Sequence, residues 1–150
     1  MLIKTHFLIT IIGILILISN VEHKVVFVIV ALMATFIPDI DSRYSVVGRR
    51  KINRILQFFT KHRGITHSFV FLILITVLLV YVLPIIALGF FLGYGLHLFG
   101  DSFTLNGIQA FYPISKKKAS GPITTGRKFE KVLFVILLFL ALFILWVKIF

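Results

Sequence analysis

The chain has 150 residues, 59% of them hydrophobic, with 17 phenylalanines, only 14% charged residues and a mean hydropathy of +1.08. A soluble domain usually holds about 45–50% apolar and about 25% charged residues, and a core this small cannot hide so much apolar side chain, so lipid is the expected solvent. The absence of cysteine excludes disulfides, thiolate metal sites and cysteine nucleophiles, and the net charge of +11 lies in loops beside apolar runs, where membrane orientation and anionic headgroups explain it without a nucleic-acid partner.

Taken in order, the apolar runs predict an all-α, polytopic membrane bundle of about five transmembrane helices in one domain, residues 1–150. The first span covers about 2–18, closed by Ser19-Asn20; no small-x-small cleavage site follows, which favours an uncleaved helix over a signal peptide. The second covers about 22–38. Its apolar part is short against the roughly 20 residues a span needs, and Pro38 is expected to end it. The third and fourth, about 65–83 and 85–100, are divided by Pro84 and read as a helical hairpin or as one long kinked helix. The fifth covers about 131–149, with Trp146 and Lys148 at the far interface.

Lys and Arg set the orientation. Arg43, Arg49, Arg50, Lys51, Arg54, Lys61 and Arg63 lie between the second and third spans. Lys116, Lys117, Lys118, Arg127, Lys128 and Lys131 lie before the fifth. Five spans put both groups and Lys4 on one side, with only Lys24 and Lys148 opposite. The positive-inside rule therefore places the amino terminus and both long loops in the cytoplasm, as a multi-pass protein of a cell membrane. The small size and lack of a transit signature point to a prokaryote.

That topology gathers the scarce polar residues. All three aspartates (Asp39, Asp41, Asp101) and four of five histidines (His6, His62, His67, His97) fall at the cytoplasmic face, and only His23 lies opposite. His97 and Asp101 are four residues apart, so a helix projects them from one face, where they can share a metal. Gly89 and Gly93 continue that stripe and allow a neighbouring helix to approach closely. Asp39 and Asp41 follow Pro38 and would point the same way in an extended segment. Histidine nitrogens with carboxylate oxygens suit zinc, manganese or iron, and carboxylate-rich sites also hold magnesium.

Each feature has a plainer reading: a helical hydrogen bond for His97 and Asp101, a salt-bridge cluster for the aspartates and arginines, and a capped helix start for HRGITHS. Their convergence on one face outweighs these readings, because ionisable groups in a membrane protein are costly and mark function by default. Arg63 is a candidate anion clamp or a headgroup anchor. The 102–126 segment should be irregular, lying along the membrane surface over the site. Glu130 is expected to cap the fifth helix, with a role as ligand or base as the alternative.

FIPDID, HRGITHS, GYGLHLFGDSFTLNG with a later YP, and the early Thr5-His6 pair resemble the LexA-regulated, membrane-bound metal-dependent hydrolase family, the YdjM-like proteins, over roughly residues 1–130. The resemblance implies a metal site at Asp39, Asp41, His67, His97 and Asp101, with His6 and His62 beside it. The leading expectation is a hydrolase using a divalent metal, zinc foremost, against an ester or phosphoester at headgroup depth, lipid-linked substrates included. His62 is the candidate proton shuttle and Arg63 the anion clamp. A metal-ion or proton transporter and a non-catalytic scaffold with a structural metal are the competing expectations.

Overall fold

The computed structural model describes residues 1–41 and 65–150, and among the described residues the chain forms five α-helices and no β-strand. Helix α1 spans Ile3–Leu17 and runs on into a 3-10 turn at Ile18–Asn20. Helices α2, α3, α4 and α5 span Lys24–Ala34, Phe69–Val82, Pro84–Ser102 and Lys128–Ile149. The all-helical membrane architecture expected from composition is the one observed. On α5 only Glu130 and Ala141 are buried, while Phe139, Phe143 and Trp146 are exposed. Such an outer surface is stable only against lipid.

Among the described residues, three stretches are long and apolar enough to cross a membrane: Ile3–Asn20, Pro84–Ser102 and Lys128–Ile149. The two remaining helices are shorter than the sequence predicts. Helix α2 has 11 residues and α3 has 14, which at about 1.5 Å per residue gives roughly 17 and 21 Å, against a hydrocarbon thickness of about 30 Å. The missing length is irregular backbone at the same end of the bundle. After Ala34 the chain leaves the helix, and Pro38 opens a 3-10 turn, Pro38–Asp41. On the other strand of the connection a 3-10 turn at Ile65–His67 precedes α3. Non-helical backbone is tolerated at such depth only where protein covers it, and Thr35, His67 and Ser68 are fully buried.

Helix α4 is the centre. It packs against α1, α2 and α3, and its buried side chains Phe90, Tyr94 and Leu98 join Leu72 of α3 and Ala34 of α2 in the larger core cluster. Its register with α2 is parallel: Gly89 lies on the Phe27 carbonyl and Gly93 on the Ala31 backbone. Four residues further on, His97 meets the Thr35 carbonyl. Helix α1 runs antiparallel to α4, with Gly13 against Leu92 and Leu96 and His6 against Gly100. The α3–α4 connection is a hairpin, not a kinked helix. Leu83 adopts φ −144°, ψ 67° between the two helices, Pro84 starts α4, and Leu72 near the start of α3 packs beside Gly95 late in α4.

Between α4 and α5 the chain is irregular but well tied. Ile108 and Ala119 exchange two backbone hydrogen bonds of 2.9 Å, and Ile123 N–H donates to the Phe103 carbonyl. Ala110 accepts from Phe69 N–H at the start of α3, so this segment closes the same end of the bundle that carries the turns. Its outer surface shows Phe103, Leu105, Phe111 and Ile114 beside Lys116–Lys118, the mixture an anionic membrane interface accepts.

Candidate metal centre

The 3.6-residue period carries Gly89, Gly93, His97 and Asp101 down one face of α4. Because glycine has no side chain, α2 comes into backbone contact with this face. A Cβ at Gly93 would overlap the Ala31 carbonyl oxygen. This close approach puts the Thr35 carbonyl 2.8 Å from His97 Nδ1. A carbonyl only accepts, so Nδ1 carries the proton and Nε2 presents its lone pair to the centre. That is how a second shell fixes a ligating histidine.

Two carboxylate oxygens each face the same two imidazole nitrogens. Asp39 Oδ1 lies 3.9 Å from His67 Nε2 and 3.8 Å from His97 Nε2. Asp101 Oδ2 lies 3.8 Å from His67 Nε2 and 3.9 Å from His97 Nε2. His67, His97 and Asp101 are buried to within 2% exposure, and Asp39 is partly buried. Burial raises the Asp39 carboxyl above its ordinary value, the nearby Asp101 charge adds to that, and His67 opposes it. A tetrahedral ion with ligands at about 2.0–2.2 Å sets them about 3.3–3.6 Å apart, so each of these nitrogen–oxygen separations is a few tenths of an ångström wider than such an ion needs. His97 Nε2 has no hydrogen bond among the described residues. Neutral imidazole with carboxylate is a donor set for zinc, manganese or iron.

His6 completes the group. Its ring stacks on His97 at 4.0 Å, and Nε2 lies 3.3 Å from Asp101 Oδ1. The Met1 amino group is 2.5 Å from the same oxygen. The described residues therefore contain two overlapping groups able to hold a metal: His6, His97 and Asp101, and Asp39, His67 and His97.

Asp39, His67, His97, Asp101 and His6, drawn from four separate parts of the chain, thus meet at one end of the bundle. Asp41 closes the Pro38–Asp41 turn, while His62 and Arg63 lie outside the described residues. His23 sits just before α2, at the opposite end. Glu130 is a tie rather than a ligand or base: Oε1 accepts from Leu2 N–H at 2.6 Å and Thr5 Oγ1 at 3.0 Å, and Oε2 accepts from Gly126 N–H at 2.6 Å. It fastens the start of α5 to the start of α1, and so steadies His6. Glu130→Ala strands three buried or part-buried donors. It is expected to cost about 2–4 kcal/mol, read as a lower melting temperature in detergent.

Three supporting residues escape a reading based on ligand types. Thr35 acts through its backbone carbonyl, and no side-chain pattern marks that. Tyr94 donates to the Thr66 carbonyl at 2.5 Å, holding the turn that carries His67; its place three residues before His97 on α4 is the one available signal. Gly100 makes room for the His6 ring, since a Cβ there would stand 3.0 Å from Nδ1.

These features define a class: a multi-helix protein of the cell membrane with buried histidine and aspartate groups that could hold a metal. The family follows from the whole chain. Residues 1–150 match the family model of the YdjM inner membrane protein, and the chain belongs to that family. No curated protein and no solved structure matches it.

Proposed function

We propose that the protein is a metal-dependent hydrolase of the inner membrane, acting on an ester or phosphoester at the cytoplasmic membrane face. The observation that carries this reading is the meeting of Asp39, His67, His97, Asp101 and His6 at one end of the bundle, in two overlapping three-residue groups that could hold a metal. An ion bound there would supply Lewis acidity toward a water molecule and a phosphoryl or carbonyl oxygen. Zinc suits these donors best, with manganese or iron next.

The chain's own residues set the conditions. The Thr35 carbonyl keeps His97 in the tautomer that offers Nε2, and Tyr94 holds the His67 turn. The carboxylates of Asp39 and Asp101 balance the charge of the ion. His62 and Arg63 adjoin this turn in sequence and are proposed, on sequence grounds alone, to move a proton and clamp an anionic group. The cluster lies at one end of the bundle, beside headgroups, so a lipid or lipid-linked substrate reaches it without leaving the membrane. Transport sites usually lie near mid-depth, which is why hydrolysis is preferred to ion transport.

The test combines ion content with turnover. Purified protein in detergent should hold a divalent ion and release phosphate or acid from lipid-linked esters, and chelation should abolish release. Tyr94→Phe should weaken ion retention by about 10–100-fold while leaving helicity unchanged, the usual effect of removing an outer support. A structural ion that only fastens the helices is the second reading. It holds where Asp39, His67, His97 and Asp101 all bind one ion, since four protein ligands leave a tetrahedral ion no open position. Under it, chelation lowers the melting temperature and no turnover is found.

A further inference from the structure

His6 and His97 lie with ring planes within 8° of parallel and centroids 4.0 Å apart. Both turn Nε2 toward one carboxylate, but toward different oxygens: His6 faces Asp101 Oδ1 at 3.3 Å, and His97 faces Oδ2 at 3.9 Å. A ligand bond from imidazole lies in the ring plane, so two parallel rings aim at two points about one ring spacing apart. Paired ions in two-metal hydrolases stand about 3.5–4 Å apart. We propose that the centre takes two divalent ions bridged by Asp101, the second bound between His6 Nε2 and Asp101 Oδ1. This rests on the metal reading above and extends it.

The ligand count supports two positions. His97 Nδ1 is committed to the Thr35 carbonyl, so His97 serves one ion only. Assigned with Asp39 and His67, it completes one three-residue group, with Asp101 Oδ2 beside it, and leaves His6 and Asp101 Oδ1 as a separate pair. His6 is 1% exposed, Nδ1 makes no hydrogen bond among the described residues, and Nε2 faces Asp101 Oδ1 at 3.3 Å. Its ring is accommodated by Gly100, where any side chain would press on Nδ1. The Met1 amino group already places a positive charge 2.5 Å from Oδ1, so an ion there exchanges one cation for another.

The second position has two protein ligands and therefore stays open to water and substrate. Two cations at this spacing clamp two oxygens of one phosphoryl group. That suits phosphoesters as substrates.

The test loads full-length protein in detergent with manganese and reads ions per chain together with the electron paramagnetic resonance spectrum. Wild type should bind two ions per chain with a spin-coupled signal. His6→Ala should bind one, with the six-line signal of an isolated ion. If His6→Ala does not insert, Gly100→Ala displaces the ring instead and should weaken the second ion by about tenfold or more while the first is retained. One uncoupled ion in wild type, unchanged by either substitution, would overturn the second position and leave the metal reading standing. No ion in wild type would overturn both.

Discussion

Asp101→Ala should lose bound metal while remaining helical and membrane-inserted. Asp101 belongs to one of the two ligand groups and faces the histidines of both, since Oδ2 lies toward His67 and His97 and Oδ1 toward His6. Four-ligand zinc sites bind with about 10–16 kcal/mol in total, so one ligand is worth about 3 kcal/mol, roughly a hundredfold in affinity. The loss here should be at least that large, because His6 and the Met1 amino group also lose their carboxylate. Competition with a chromogenic chelator measures it, and circular dichroism verifies the fold. Asp101→Asn keeps the shape but not the charge. It should fall between wild type and alanine, whereas a purely steric role would leave it like wild type.

Gly93→Ala has the largest expected effect on the fold. Alanine is the better helix former by about 1 kcal/mol, so an isolated helix would gain. In the bundle the new Cβ would overlap the Ala31 carbonyl oxygen and stand 2.8 Å from its carbon. Both sides of that contact are backbone, so no rotamer change relieves it and α2 must move off α4. Overpacking of this kind costs about 1–3 kcal/mol and sometimes more; the melting temperature should fall by about 5 °C or more. Metal retention should fall with it, because α2 carries Thr35 and leads into Asp39. Gly95→Ala is the control. Its Cβ would meet only the end of the Leu72 side chain, at 3.3 Å, and the change should be close to neutral.

Much of this is legible in the chain because it depends on period and side. The spacing of Gly89, Gly93, His97 and Asp101 gives one helix face. Counting basic residues assigns Asp39, His67 and His6 to the same end. Apolar runs are less informative about length: buried turns replace the last residues of the α2 span and the first residues of the α3 span, and composition does not distinguish a residue facing lipid from one in a covered turn. The hairpin at Pro84 needed the backbone at Leu83 to decide it. For Glu130 the sequence allows both cap and ligand, and its three hydrogen-bond donors assign it a structural tie. The Thr35 carbonyl was invisible because every residue has one.

The central claim is that this end of the bundle holds a divalent ion. Metal content per chain of purified full-length protein, measured by mass spectrometry after loading with zinc, manganese or iron and compared with Asp101→Ala, tests it most directly. At least one ion per wild-type chain, absent from the variant, is the predicted result. Equal and substoichiometric content in the two proteins under every loading condition would contradict it.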